Sequence, residues 1–248
     1  MNLIASHIVK SFGNNKILAD VSFEILPGNV VVLMGTNGAG KTTLFNIFSG
    51  FLKPDSGQIL LDGRDVSGFE PSTIARAGVG RTFQDMRLIE EMTVFENVLL
   101  SFPGQEGEKW WNTLFPLPKV VAEQKSNAEK TKQILHDCFI EDVADYKAKD
   151  ISYGQQKLLN MACCMASNAS VWLLDEPVAG VNPVYREKLS EVIRQQKSTG
   201  KSILLIEHNS DFIEAVADEI LFLNKGIISR FSSYESFRQD ADVKNAYV

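Results

Sequence analysis

Gly35-Thr36-Asn37-Gly38-Ala39-Gly40-Lys41-Thr42 stands between a fully apolar, β-branched run, Val30–Met34, and a stretch of helical character from Lys41 to about residue 50. Its glycines and closing Lys-Thr match the eight-position phosphate-loop pattern. Glycine lets successive backbone N–H groups turn inward as an anion nest, and the following helix adds its positive N-terminal end. Lys41 supplies a point charge for β- and γ-phosphates, and Thr42 a hydroxyl for Mg²⁺. A buried strand before the loop and a helix after it separate the motif from a chance glycine-rich turn.

Outward from this loop, the pattern predicts strands over residues 3–9, 17–25, 59–61 and 79–82, with Pro27-Gly28 as a turn. From about residue 84 to 154 strand-like runs vanish. Helical spacing takes over near residues 93–100 and 124–139, and Ile134, Leu135, Cys138 and Phe139 are expected on one face. Residues 102–119, with Trp110 and Trp111, read as an irregular excursion too long for an ordinary loop. Alternation then resumes: strands over 171–174, Ser202–Ile206 and 220–223, and helices over Pro183–Ser198 and 210–217. The reading is an α/β core interrupted by a helical insertion of about 70 residues.

Val171-Trp172-Leu173-Leu174-Asp175-Glu176 is the loop's natural companion. It is an apolar strand ending in two carboxylates, where an open α/β sheet presents its ligand face. Asp175 is expected to hold Mg²⁺, and Glu176 to polarise the attacking water as general base.

Composition narrows the function classes. With 25 basic and 31 acidic residues the net charge is −6, and no basic run is present, which argues against phosphate-driven nucleic-acid binding. The longest apolar run, residues 161–166, is far short of the about 18 residues that span a bilayer. Residues 1–20 show no basic start, long apolar stretch or cleavage site, so no signal peptide is expected. Cys138, Cys163 and Cys164 lack metal-ligand spacing and are expected to be packing residues in a reducing compartment.

Three further features complete an ordered set. Ile151-Ser152-Tyr153-Gly154-Gln155-Gln156 lies upstream of the Asp-Glu strand, Gln84 lies where the sheet gives way to the insertion, and His208 follows the Ser202–Ile206 strand. Over essentially its whole length the chain resembles the ATP-binding subunits of ABC transporters. That resemblance implies a P-loop NTPase core of the ABC ATPase type, with an N-terminal antiparallel β-subdomain and an inserted α-helical subdomain. It implies one ABC ATPase domain over 1–248, with 1–83 and 155–248 forming the catalytic core and 84–154 the helical signature subdomain. By resemblance, Phe12 stacks on adenine, and Gly35, Thr36, Asn37, Gly38, Ala39, Gly40, Lys41, Thr42 and Thr43 bind nucleotide. Gln84 senses Mg²⁺ and the attacking water, and joins Thr42 and Asp175 at the metal. Ser152, Tyr153, Gly154 and Gln155 form the signature that meets ATP held by the other subunit, and His208 contacts the γ-phosphate beside the catalytic Glu176.

A helix starting near Gly154 is a second anion site in a chain with one triphosphate position. Two chains closing head-to-tail around two MgATP use both. Tyr153 stands where the commonest signature has glycine, and Asn182 where Ala179-Gly180-Val181-Asn182-Pro183 usually ends in aspartate. Both departures resemble importers of branched-chain amino acids and small amides such as urea. Arg81-Thr82-Phe83-Gln84, Glu91-Met92-Thr93-Val94-Phe95-Glu96-Asn97 and Asp242-Val243-Lys244-Asn245-Ala246-Tyr247 are similar to the same subgroup. The resemblance implies a motor subunit peripheral on the cytoplasmic side of the membrane. Its implied partners are a second ATPase subunit, in a homo- or heterodimer, integral permease subunits and, indirectly, a solute-binding protein, with no nucleic acid. A lipid or lipopolysaccharide exporter ATPase shares the Ala-Gly-Val-x-Pro stretch and is the nearest alternative. A soluble ABC protein of repair or translation fits less well, because one cassette without a sustained heptad run is present. Glu176 argues against a regulatory module without turnover.

Overall fold

The computed structural model describes residues 1–82, 86, 88–105 and 118–246. Gln84, Trp110 and Trp111 lie outside the described residues. The strands are β1 (Leu3–Phe12), β2 (Asn15–Ile25), β3 (Val30–Met34), β4 (Ser56–Leu61), β5 (Arg64–Asp65), β6 (Val79–Arg81), β7 (Val171–Asp175), β8 (Ser202–Ile206), β9 (Glu219–Asn224) and β10 (Ile227–Phe231). The helices are α1 (Lys41–Phe48), α2 (Pro71–Arg76), α3 (Val94–Leu100), α4 (Pro118–Asp137), α5 (Tyr153–Ala166), α6 (Pro183–Ser198), α7 (Ser210–Val216), α8 (Tyr234–Gln239) and α9 (Ala241–Ala246). No helix of the described residues is long and apolar enough to cross a membrane.

Contacts divide the described residues into two compact units. The first comprises Met1–Gln84, Ala169–Ala179 and Ile193–Val248. It holds a ten-stranded sheet in the order β5-β4-β1-β2-β10-β9-β3-β8-β7-β6. The N-terminal strands pair antiparallel, β2 and β4 flanking β1 and β5 edging β4. On the other side β9-β3-β8-β7-β6 run parallel. β3 and β8 are buried at every position, as parallel strands covered on both faces must be. That explains why both read as unbroken apolar runs rather than alternating ones.

β10 returns antiparallel on β9 through Lys225 and Gly226, both at positive φ, the conformation of a tight hairpin turn. A Cβ on Gly226 would stand 2.6 Å from the Ala19 nitrogen, so glycine also lets the turn reach β2. The core of this unit gathers α1 against the sheet. Leu44, Phe45, Ile47 and Phe48 are at most 1% exposed, and Phe48 meets Phe23 edge-on at 5.7 Å. Burial of each such side chain contributes about 1.5–3 kcal/mol, which anchors the helix that carries the end of the phosphate loop.

The described residues of the second unit, Asp85–Asn168 with Gly180–Val192, are mainly helical. Thr93 caps α3 in a reciprocal box with Glu96, and buried Asn97 bonds the Ile89 backbone through both its carbonyl and its amide. Cys138 is buried with its thiol 3.4 Å from the Met165 sulfur. Burial pushes the Cys138 thiol up and raises that of Cys163 to about 11, so both are inert packing groups, as expected from sequence. One expectation is corrected. Phe139 does not share the apolar face of α4, because the helix ends at Asp137 and Phe139 turns to φ 58. Its ring is exposed beneath the Lys188 ammonium, and Ile140 takes the buried place instead.

Candidate active site

The site grows from three adjacent parallel strands. β8 lies between β3 and β7, so the carboxyl ends of all three open on one side of the sheet, where α/β folds bind ligands. Beyond β3 comes the glycine loop, beyond β7 come Asp175 and Glu176, and beyond β8 comes His208. These ends line a cavity of about 300 Å³ with Phe12, Ile17, Asn37, Gly38, Ala39, Gly40, Lys41, Thr42, Thr43, Asp175, Glu176, Ile206 and His208. Thus Phe12, the loop from Asn37 to Thr43, both carboxylates and the histidine, far apart in sequence, come together in one unit.

The loop is organised around its lysine. Lys41 Nζ donates to the Gly35 carbonyl at 2.6 Å and to the Thr36 carbonyl at 3.1 Å, which ties Gly35 and Thr36 into the same structure. Burial lowers the Lys41 pKa, opposed by the nearby charges of Glu176 and Asp175. Gly40, at φ 106, caps α1. A Cβ there would meet Ile17 Cγ2 at 2.8 Å, so only glycine fits. Gly38 faces open space at φ 80. Glycines at positive φ and one lysine thus stand together on the cavity wall, a combination that suits a polyphosphate.

Asp175 N–H reaches the Thr82 hydroxyl at 3.3 Å, and the Asp175 carboxylate pairs with Arg81 at 3.6 Å. Glu176 holds an unusual backbone, φ 48, while its N–H continues the ladder to the Ile206 carbonyl at 3.0 Å. A non-glycine residue in this region costs of order 1 kcal/mol and persists only where its surroundings over-determine it. Thr42 and Asp175 line the same cavity, and a hydroxyl and a carboxylate are oxygen donors of the kind that Mg²⁺ takes. Phe12 is 53% exposed at the end of β1, which rules out a core role and leaves its ring at the cavity mouth. Lys10 Nζ lies 5.8 Å from that ring. His208 is exposed on the cavity wall.

Ser152, Tyr153, Gly154 and Gln155 belong to the helical unit and form the first turn of α5. Ser152 is its N-cap, its hydroxyl accepting from Gln155 N–H while the Gln155 side chain accepts from Ser152 N–H at 2.9 Å. Gly154 is needed for space: a Cβ would stand 2.5 Å from the Tyr185 ring. Tyr153 is exposed, with Lys157 Nζ 5.5 Å from its ring centroid.

Two groups at the site have no assigned role in the sequence reading. Arg81 appears there only as part of a motif, and Glu207 not at all. Glu207 is buried between the strand and His208. A charged residue closing a fully apolar strand is the signal that could have found it.

The ABC transporter family model matches residues 18–179. The chain is 35% identical over 247 residues to the high-affinity branched-chain amino acid transport ATP-binding protein LivG of Escherichia coli (strain K12), covering 99% of this chain and 97% of that one. It is 34% identical, with the same coverage, to the corresponding protein BraF of Pseudomonas aeruginosa. A solved ATP-binding cassette of an ABC transporter in its ADP conformation superposes with a TM-score of 0.85 at 32% identity, covering 100% of this chain and 98% of the other.

Proposed function

Because the chain belongs to the ABC transporter family and is an ATP-binding transport ATPase, we propose that it hydrolyses ATP at the β3–β8–β7 cavity to drive import of branched-chain amino acids or related small solutes. The observation that carries the reading is the convergence of Lys41, Asp175, Glu176, His208 and Phe12 on that one cavity. In this reading Phe12 stacks on adenine, and the backbone from Gly35 to Thr43 with Lys41 neutralises the phosphates. Thr42, Asp175 and Gln84 hold Mg²⁺, which offsets charge on the phosphate oxygens. The Glu176 carboxylate orients the attacking water and takes its proton, and His208 donates to the γ-phosphate oxygens. Preorganised donors of this kind stabilise developing charge without reorganising during reaction.

Residues 152–155 act on the nucleotide of a second ATPase subunit, so the working unit is a head-to-tail dimer around two MgATP. In this reading the first compact unit is the catalytic core and the second the helical signature subdomain, whose bounds, 85–168 with 180–192, extend past the 84–154 expected from sequence. Integral permease subunits hold the dimer peripherally on the cytoplasmic membrane face, a solute-binding protein delivers cargo, and nucleic acid plays no part. The names of LivG and BraF support the cargo class. Reconstitution with the permeases tests it. ATP turnover should rise when the binding protein is loaded with leucine, isoleucine or valine. Turnover indifferent to loaded binding protein but stimulated by lipid substrate would replace import with export.

A further inference from the structure

Glu207 is 4% exposed, yet it carries a carboxylate. A buried carboxylate persists only where donors replace its lost water. Here Oε1 accepts from His208 N–H at 2.8 Å and from Asn209 N–H at 3.2 Å, while Oε2 accepts from Val178 N–H at 3.3 Å. One carboxylate therefore holds two segments, the one that leaves Glu176 and the one that carries His208.

Its place in the ladder gives that contact a purpose. Parallel pairing of β7 and β8 ends at Asp175↔Ile206, and the last backbone link is Glu176 N–H to the Ile206 carbonyl. Past that point no further β7–β8 backbone pairing occurs among the described residues, and Glu207 accepts from Val178 N–H across the two segments. Glu176 sits at φ 48 just before it, a conformation that needs fixed surroundings. The carboxylate is not required to start α7, because Asn209 already caps that helix through Phe212 N–H.

We propose that Glu207 is a positioning residue for ATP hydrolysis: its buried carboxylate clamps the segment after Glu176 to the segment bearing His208, holding both groups at the cavity. The proposal rests on the ATPase reading above. Bonds to an ionised acceptor are about twice as strong as neutral ones, which accounts for glutamate here rather than glutamine. In Glu207→Gln the amide oxygen can still accept from His208 and Asn209, but its NH₂ then faces the Val178 N–H, donor against donor. In Glu207→Asp the charge stays near its own segment and falls short of Val178.

The test measures MgATP hydrolysis by both variants together with deuterium exchange over residues 175–182 and 206–211. Both variants should lose about tenfold or more in kcat, with KM for MgATP within about threefold, as expected for one lost bond to a charged group that ground-state binding does not use. Exchange near Val178 should quicken by a similar factor while β7 and β8 keep their protection. Glu207→Asp should leave the His208 segment protected. Wild-type kcat in either variant overturns the proposal. So does faster exchange throughout β7 and β8, which would make Glu207 a stability residue only. If the wild-type chain hydrolyses no ATP, the ATPase reading falls, and the exchange pattern still decides whether the clamp exists.

Discussion

Arg81 Nη2 lies 3.6 Å from Asp175 Oδ2, with the two side chains only 7% and 12% exposed. The same guanidinium donates to Asn46 Oδ1 of α1 at 2.8 Å and to Oγ of its C-cap, Ser49, at 2.7 Å, and lies 5.7 Å from the Phe45 ring centroid. One buried cation thus links β6, the phosphate-loop helix and the carboxylate assigned to the metal. Removing one partner of a buried pair costs about 3–5 kcal/mol, because the other is left uncompensated. Arg81→Ala is therefore expected to lower unfolding stability by roughly 3 kcal/mol. Arg81→Lys should fall between, keeping the charge without the planar fork. Urea unfolding checks both, and an alanine variant as stable as wild type would show that the pair carries no weight.

Phe12 is expected to matter for nucleotide and not for folding. Half-exposed at the end of β1, it should change stability by less than about 0.5 kcal/mol on truncation to alanine. ATP binding should weaken by about 1–3 kcal/mol, the scale of base–aromatic stacking, and Phe12→Tyr should be tolerated. Calorimetric titration with ATP separates this from a different base contact, which would leave the alanine variant at full affinity.

Lys41→Ala should leave the far-ultraviolet dichroism unchanged while ATP hydrolysis collapses. The cavity would lose its cation beneath the loop, and the Gly35 and Thr36 carbonyls their shared donor. Since burial lowers the Lys41 pKa, the empty site should shed its charge at a lower pH than an exposed lysine. Nucleotide affinity should accordingly begin to fall, as pH rises, before the ordinary lysine range. Affinity constant through that range would oppose the charge role.

Gly154→Ala tests whether the signature glycine serves packing. Its Cβ would overlap the Tyr185 ring, and overpacking typically costs about 1–3 kcal/mol. Tyr185→Ala should relieve that clash, so the double variant should be more stable than the two single losses predict. Strict additivity in thermal unfolding would mean that the ring simply moves aside.

Legibility in the sequence followed the range of the interaction. The phosphate loop and the strand ending in Asp175-Glu176 were readable because backbone conformation and short-range pattern set them. Val30–Met34 and Ser202–Ile206 were readable as buried strands because both faces are covered. The Ser152–Gln155 box also has a local pattern. β10 was not readable, because its residues are mostly exposed and only the hairpin to β9 defines it. Periodicity places Phe139 on the buried face because it does not register a left-handed helix end. The roles of Arg81 and Glu207 stayed hidden, since each depends on partners that only the sheet order brings close.

The role proposed for Glu176, general base at this cavity, is tested by phosphate release from the purified Glu176→Gln variant. Glutamine keeps the size and hydrogen bonding of the side chain but cannot take a proton. ATP affinity is expected to stay within a few-fold of wild type, while turnover falls by about 10²–10⁴-fold, the usual loss of a general base. Phosphate release at the wild-type rate would remove Glu176 from the general-base role.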